Sequence, residues 1–330
     1  MNYRLSDKQM NTATETASVY DLKHWEKELT KRGVGERELR RYRRLLYREF
    51  VDGSTLEWPE DVNLEFNHLK LIDRQDSKVD GASKLLFETV DGKKVETVIL
   101  RISTGRTSLC VSSQVGCTEK CTFCATGAMG FFRNLTKDEI LDQVVQAGRI
   151  LAAEGRSPRN IVFMGMGEPL RNYENLSQSI DLLVEGRAFQ FAHKFITVSS
   201  SGIADLMLQF AKDYPKVSLA LSLNASNDQV RQEVMPINER FPMLALKETL
   251  KEIEVIRDGE TMIEYIMFDN LNDSLEAAKE VADYLEGLAV HVNLIPYNID
   301  WSIDRRFLPS PLERIVEFQD DLKERGYKVT

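Results

Sequence analysis

The sequence of 330 residues lacks several features, and each absence excludes a class of protein. No apolar run reaches the length of a membrane-spanning helix. The first residues, MNYRLSDKQMNTATETASVYDLK, have no apolar core behind a basic start, so they do not form a secretory signal. We therefore expect a cytoplasmic protein without membrane contact, with a polar N-terminal tail. We also expect it to be a monomer.

A net positive charge is absent as well, since 43 lysines and arginines stand against 52 aspartates and glutamates, a balance of −9. Phosphate binding needs a cationic surface, so this balance argues against a protein that coats nucleic acid. Residues 31–50 are the exception. Apolar residues recur there at helical spacing and predict a core-facing stripe: Leu39, Tyr42, Leu46 and Phe50. Four arginines fall on another face: Arg37, Arg41, Arg44 and Arg48. Such a face is usually only solvated, but here it also makes RNA or DNA a candidate partner.

The chain contains no low-complexity block and no clear repeat, and its 42% apolar content is that of a globular protein. The pattern from residue 20 to 55 is helical. Residues 84–100, KLLFETVDGKKVETVIL, predict two strands that turn at Asp91-Gly92. Continuous apolar strands then alternate with amphipathic helices in six β-α pairs. This alternation predicts a parallel sheet, either a barrel or part of one.

Glycine and polar residues cluster directly after the predicted strands, in the cysteine loop and in GMGEP, SSSG, SLNAS and IPYN. Each cluster alone is an ordinary turn signal. In parallel α/β folds the chemistry lies at the carboxyl ends of the strands. Five such clusters in succession therefore predict one site at that edge.

Cysteine is scarce, and all four cysteines lie in residues 108–127, SLCVSSQVGCTEKCTFCATG. In a reducing compartment, clustered cysteines hold metal more often than they form disulfides. Cys117, Cys121 and Cys124 have the spacing C-x3-C-x2-C, which suits an iron–sulfur cluster that keeps one iron open. The alternative, structural zinc, needs four ligands, and Cys110 lies back in the preceding strand. We favour the cluster.

The C-x3-C-x2-C motif after the first barrel strand, with Phe123 before its last cysteine, resembles the radical S-adenosylmethionine (SAM) superfamily. The resemblance implies an α/β fold with a partial (βα)6 radical SAM barrel. It also implies a [4Fe–4S] cluster on Cys117, Cys121 and Cys124, and SAM bound to the open iron and cleaved to a 5′-deoxyadenosyl radical. The GMGEP segment resembles the glycine-rich segment that contacts the methionine amino group.

Further motifs narrow the resemblance to the RlmN/Cfr family, which methylates adenine carbons of 23S ribosomal RNA. These motifs are LCVSSQVGCTEKCTFCATG, FMGMGEPL, ITVSSSG, LALSLNA, MPIN and NLIPYN. The family implies SAM contacts from Gly167, Glu168, Ser199, Ser222, Leu223, Asn224 and Asn298. Asn224 departs from the family, which often has histidine there. The implied partners are ribosomal RNA, with transfer RNA as a further possibility, and an electron donor such as flavodoxin or ferredoxin.

The family also implies two catalytic residues outside the SAM site. Glu96, in VETV, corresponds to a proposed proton acceptor, although without the resemblance a charge pair with a neighbouring lysine is the simpler interpretation. Cys110 corresponds to the cysteine that resolves the covalent protein–RNA intermediate, whereas a strand cysteine is usually a small buried hydrophobe. The methyl-carrying cysteine should follow the last helix, but no cysteine follows Cys124.

Two explanations stay open for that missing cysteine: a sequence that ends early, or a natural relative without the methyl acceptor. The first predicts methylation of an adenine carbon, C2 or C8. The second predicts a radical SAM enzyme with a non-methylating reaction or another substrate, or an RNA-binding relative that keeps the cluster for structure. We predict three regions: a basic helical accessory region over 1–83, a β-hairpin extension over 84–102 and the barrel over 103–330.

Overall fold

The computed structural model describes residues 16–60, 62–299 and 306–330, so the predicted tail over residues 1–15 lies outside the described part. The strands are β1 (Ala17–Ser18), β2 (Leu64–Glu65), β3 (Leu69–Asp76), β4 (Ser83–Thr89), β5 (Lys94–Arg101), β6 (Thr107–Cys110), β7 (Gln114–Gly116), β8 (Phe131–Asn134), β9 (Asn160–Phe163), β10 (Ile196–Ser200), β11 (Ser218–Ser222), β12 (Thr261–Met267), β13 (Val290–Pro296) and β14 (Lys328–Val329). The helices are α1 (Leu22–Lys31), α2 (Glu36–Tyr47), α3 (Ala125–Ala128), α4 (Lys137–Ala153), α5 (Tyr173–Val184), α6 (Ala204–Asp213), α7 (Asp228–Val234), α8 (Met243–Ile256), α9 (Leu275–Leu285) and α10 (Leu312–Glu324). Within these ranges no helix is long and apolar enough to cross a bilayer.

A ten-stranded sheet organises the molecule, in the order β14-β13-β12-β11-β10-β9-β6-β5-β4-β3. Strands β6 and β9 to β13 run parallel, and β14 continues this arrangement beside β13. Helices alternate with these strands, as the apolar pattern predicts, and the α/β partial barrel is confirmed. The carboxyl ends of the six parallel strands share one edge, and the sequence clusters after β6, β9, β10, β11 and β13 lie along it.

An antiparallel extension, β3 to β5, continues the sheet from β6. The predicted hairpin is confirmed, with its turn at Asp91 and Gly92 between β4 and β5. Alternate residues of β5 pack against helix α4, where the Thr97 hydroxyl donates to Gln143 Oε1 at 2.8 Å. Glu96 and Val98 therefore lie on the opposite face, and Val98 pairs with Cys110 of β6. The division of the chain into three regions stays a prediction.

The N-terminal region forms two helices rather than one, because the chain turns at Gly33, where φ is +82°. The predicted apolar stripe is confirmed, since all four of its residues are buried: Leu39, Tyr42, Leu46 and Phe50. The four arginines on the other face are all exposed: Arg37, Arg41, Arg44 and Arg48. A fifth arginine of this segment, Arg43, is instead buried and paired with Glu26 and Glu36.

Candidate active site

A cavity of about 280 Å³ opens at the carboxyl ends of the parallel strands. Its size is close to that of small-molecule sites. Its lining combines the cysteine loop with the ends of five strands: Cys117, Glu119, Cys121, Phe123, Cys124, Thr126, Phe163, Met164, Gly165, Gly167, Glu168, Pro169, Ser199, Ser200, Ser201, Ser222, Asn224, Met235, Glu264, Ile266 and Ile295. The edge at which the sequence predicts a site is thus where the cavity lies.

All three cysteines of the C-x3-C-x2-C motif line this cavity, and all four cysteines of the chain are free thiols. Backbone hydrogen bonds fix the loop, since Cys117 N donates to Gly130 O at 3.0 Å and Cys124 N to Cys121 O at 3.1 Å. Burial raises the pKa of the Cys117 thiol to about 11 and raises that of Cys121 further. Both thiols therefore carry protons at neutral pH, which a bound metal must displace.

The three thiols lie near one another, since Cys124 and Cys117 both act electrostatically on Cys121. Cys110, the remaining cysteine, is not part of the cavity lining. A closed structural zinc site needs four ligands, whereas three thiolates suit an iron–sulfur cluster with one open iron.

Glu168 is the most deeply buried acidic residue of the cavity lining. Its two carboxylate oxygens accept from Ser201 N at 2.8 Å and from Leu170 N at 3.2 Å. Burial, which outweighs these hydrogen bonds, raises the pKa of Glu168 to about 7. A cationic or hydrogen-donating ligand would stabilise the ionised form. The side chain is thus fixed in place before such a ligand arrives.

The GMGEP segment approaches its neighbours so closely that side chains are excluded. A Cβ on Gly167 would lie 2.4 Å from Gln114 Cβ, and φ at Gly167 is +99°. A Cβ on Gly165 would lie 2.8 Å from the carbonyl oxygen of Val111. Glycine permits both the close approach and the left-handed backbone. Gly165 and Gly167, which both line the cavity, therefore contribute backbone and no side chain to it.

Glu264 lines the cavity and was missed by the sequence analysis. Asn293 Nδ2 donates to its Oε2 at 2.7 Å, while its buried Oε1 has no partner among the described residues. Burial raises the pKa of this carboxyl group. The signal in the sequence was a lone acidic residue inside the apolar strand TMIEYIMF. An unpartnered buried oxygen in a cavity indicates a polar ligand.

Of the other predicted SAM contacts, some line the cavity and some do not. Ser199 and Ser222 line the cavity, with their hydroxyl oxygens 3.4 Å apart. Asn224 also lines it, but its side chain is used internally: it accepts from Ile266 N at 2.8 Å, and φ is +56°. Leu223 is fully buried outside the lining, and its backbone N donates to Glu264 O at 3.0 Å. Asn298 is exposed beyond the end of β13 and is not part of the lining.

Glu96 of β5 and Cys110 of β6 lie on one face of the sheet, called here the open face, and Cys110 accepts from the backbone N–H of Met164, a residue of the cavity lining. Glu96 forms an ion pair with Lys84 at 3.1 Å, which is the simpler alternative that the sequence offered. Val98 faces Cys110 directly, so Glu96 is the diagonal neighbour of Cys110. Burial raises the pKa of Cys110 to about 12, although the Met164 backbone N–H opposes the shift. The thiol therefore keeps its proton at neutral pH.

Comparisons with known proteins identify the family of this chain. The model of the radical SAM superfamily matches residues 111–285. A probable RNA methyltransferase of Rhodopirellula baltica is 43% identical over 97% of this chain and 85% of its own length. The dual-specificity RNA methyltransferase RlmN of Syntrophobacter fumaroxidans is 36% identical over 94% of this chain and 92% of its own length. The crystal structure of a radical SAM methyltransferase from Sphaerobacter thermophilus is 36% identical, with a TM-score of 0.87 over 95% of this chain and 94% of that one.

The side chains that line the cavity fit the cofactors of this superfamily. Three thiols, a fixed carboxyl group, a glycine-lined wall and an unpartnered carboxylate oxygen meet in one place. The superfamily match covers the cysteine loop and every strand whose end forms this cavity except β13. The chain is an enzyme that belongs to the RlmN/Cfr-type family of the radical SAM superfamily, and its cofactors are a [4Fe–4S] cluster and SAM.

Proposed function

We propose that the enzyme methylates an adenine carbon, C2 or C8, of ribosomal RNA. The observation that carries this proposal is the placement of Cys110 and Glu96 on the face that adjoins the cofactor cavity. The relatives whose printed names include RNA methyltransferase support an RNA substrate. An external one-electron donor, such as a flavodoxin or a ferredoxin, would reduce the cluster.

In this proposal, Cys117, Cys121 and Cys124 hold the cluster. The predicted SAM contacts are Gly167, Glu168, Ser199, Ser222, Leu223, Asn224 and Asn298, of which five line the cavity. When bound, the cofactors supply the 5′-deoxyadenosyl radical. Glu168 would hold the methionine amino group, and Gly165 and Gly167 would let that end of SAM approach the backbone.

The open face would receive the adenine. There Glu96 accepts the proton that leaves the adenine ring, and Lys84 holds its carboxylate in place. Cys110 would resolve the covalent intermediate by forming a disulfide with the cysteine that carries it. This breaks the bond between that second sulfur and the RNA-bound carbon, which then takes up a proton. The second cysteine is not among these 330 residues. Because burial raises the pKa of the Cys110 thiol to about 12, attack by its sulfur requires a base to remove the thiol proton. Glu96, the diagonal neighbour on the adjacent strand, is the acid–base group closest to it in the register.

The exposed arginines of α2 would bind RNA phosphates. Arg40, Arg44 and Arg48 border a cleft with Arg187, although Glu36 lies there too. Glu49 pairs with Arg44 at 3.1 Å, so part of this charge is already compensated. Phosphate contacts of this kind position an RNA without reading its sequence. They therefore support RNA binding but leave the choice of adenine to the face beside the cavity.

The test begins with anaerobic reconstitution, which should yield about four irons per chain. With reductant and SAM, the protein should release 5′-deoxyadenosine. Tritium from methyl-labelled SAM should then appear in ribosomal RNA. Absence of both the cluster and deoxyadenosine would refute the proposal.

A second candidate function is a radical SAM reaction without methyl transfer. It applies if the whole protein, like these 330 residues, holds no cysteine beyond the four that lie between residues 110 and 124. The methyl-carrying cysteine of the family is thus not among them. Deoxyadenosine release with no tritium in ribosomal or transfer RNA would support this candidate over the first.

A further inference from the structure

Arg231 is a fully buried arginine without an acidic partner in the described part of the chain. It lies in helix α7 and uses its donors on neutral oxygens. Nη2 donates to Ser201 O at 2.6 Å and approaches Ser222 O at 3.4 Å, and Nη1 donates to Asn238 Oδ1 at 3.1 Å. Nε has no hydrogen-bond partner among the residues that the structure describes. The side chain therefore brings an uncompensated positive charge to the carboxyl ends of β10 and β11.

Such a charge is costly, because an ion loses its hydration when it is buried. Two other partly or fully buried arginines are paired with acids, Arg43 with Glu26 and Arg133 with Asp91 and Glu139, whereas Arg257 is not. Burial lowers the pKa of Arg231 to about 10, so it is still a cation at neutral pH. A negative charge that arrives with a ligand would compensate it.

Helix α7 is fastened directly to the cysteine loop. Thr122, between the second and third cysteines of the motif, donates from N to Val234 O at 3.0 Å and from its hydroxyl to Glu233 O at 3.1 Å. Met235, which follows α7, lines the cavity beside Cys121. Burial dominates the pKa of Arg231, and the Tyr284, Cys121 and Asp228 side chains oppose this shift when they are ionised. The helix that carries Arg231 is thus the helix that the cysteine loop contacts directly.

Arg231 is also linked to the SAM end of the cavity through a single residue. Its Nη2 donates to the carbonyl oxygen of Ser201, and the N–H of Ser201 donates to Glu168 Oε2. The guanidinium also excludes a side chain at Gly202, where a Cβ would lie 2.8 Å from Nη2. The same side chain that carries the charge therefore fixes the loop that holds Glu168.

We propose that Arg231 is a positioning residue whose charge compensates the negative charge of the thiolate-bound cluster and raises its reduction potential. This inference rests on the proposed function only for the presence of the cluster. Reduction adds one electron, from an external one-electron donor, and no other bond forms or breaks. The added negative charge is stabilised by a buried cation more strongly than by a solvated one. Without that cation, the oxidised cluster would be favoured.

Arg257 offers a matched control. It is also buried and without an acidic partner in the described part, and its Nη2 donates to Val217 O at 2.7 Å. Val217 precedes β11, so Arg257 lies at the amino end of the strand whose carboxyl end Arg231 contacts. Burial lowers its pKa too. The two arginines share burial and chemistry, and they differ in which end of the barrel they occupy.

The experiment is a redox titration, followed by electron paramagnetic resonance (EPR), of the reconstituted wild type and of three variants. Arg231→Gln removes the charge, Arg231→Lys keeps it without the planar fork, and Arg257→Gln is the control. We expect Arg231→Gln to lower the equilibrium constant for reduction at least tenfold, a shift of about 59 mV to more negative potential for a one-electron couple. Arg231→Lys should stay closer to the wild type, and Arg257→Gln should not move the potential.

An Arg231→Gln variant with a full cluster and an unchanged potential would overturn the inference, as would an equal shift in Arg257→Gln. If Arg231→Gln does not fold, Arg231→Lys decides the question. A potential near that of the wild type supports the role of charge, whereas a tenfold change despite the retained charge contradicts it. If the wild type itself holds no cluster, the proposed function fails first, and the two failures stay distinguishable.

Discussion

The cofactor cavity and the open face beside it belong to one sheet, yet they are held together differently. In the cavity, Glu168 is buried and fixed by two backbone donors, and Glu264 keeps one carboxylate oxygen unpartnered. On the open face, Glu96 is 41% exposed and pairs with a lysine that is 44% exposed. Buried polar groups carry large energies, and solvated ion pairs carry small ones. Changes in the cavity should therefore alter binding and stability strongly, whereas changes on the open face should alter chemistry alone.

The cysteines give the largest expected contrast between the two regions. Cys121→Ala removes a proposed cluster ligand and should reduce the iron content from about four per chain to near zero, with loss of deoxyadenosine release. Cys110→Ala lies on the open face and should keep both the iron and the deoxyadenosine. Iron analysis and chromatography of the products measure the two effects. Equal loss of iron in both variants would contradict the assignment of Cys110 outside the cluster.

Glu168 gives the next largest effect, on SAM affinity. Loss of a hydrogen bond to a charged group should weaken SAM binding about 10- to 100-fold in Glu168→Gln. Because burial raises the pKa of Glu168 to about 7, the carboxylate form predominates only above that pH. The affinity of the wild type should consequently rise between pH 6 and pH 8 and then level off.

Equilibrium binding of SAM across this pH range measures the effect, and Glu168→Gln is the control. The part of the slope that disappears in the variant is due to Glu168. An identical pH dependence in both proteins would show that Glu168 does not titrate in contact with SAM.

Substitution of one glycine in each region should change the free energy of unfolding by different amounts. Gly167 in the cavity wall and Gly92 in the hairpin turn both have positive φ, +99° and +74°. Around Gly92 there is open space, so Gly92→Ala should cost about 1 kcal/mol for the left-handed backbone alone. Gly167→Ala adds a collision with Gln114 and should cost about 3 kcal/mol. Denaturant unfolding of the metal-free protein measures both, and equal costs would contradict the tight packing of the GMGEP segment.

The smallest expected effect lies on the open face. Lys84→Met breaks an exposed ion pair and should change the free energy of unfolding by about 0.5 kcal/mol or less. Iron content and SAM affinity should not change either. Turnover of RNA should fall, since the carboxylate of Glu96 loses the cation that orients it. Loss of SAM affinity in this variant would show that the two regions are not separable.

Much of this fold was readable in the sequence, because long apolar strands and amphipathic helices alternate without interruption. The cysteine loop and GMGEP could be recognised in the sequence because the cysteine spacing is typical of cluster ligands and the glycines are typical of close backbone approach. Glu264 and Arg231 were not singled out, since an acid in one strand and an arginine in one helix resemble ordinary polar residues. Their significance depends on burial and on absent partners, which the packing of β12, β13 and α7 determines. The internal use of Asn224 likewise depends on a backbone conformation that no pattern indicates.

The central claim is that three cysteines hold a [4Fe–4S] cluster whose open iron binds SAM in this cavity. Its most direct test is the EPR spectrum of the reduced, reconstituted protein, recorded before and after addition of SAM. The account predicts the signal of a reduced [4Fe–4S] cluster that changes when SAM binds, and a loss of that signal in Cys121→Ala. A protein that holds no cluster, or a cluster signal that SAM leaves unchanged, would contradict it.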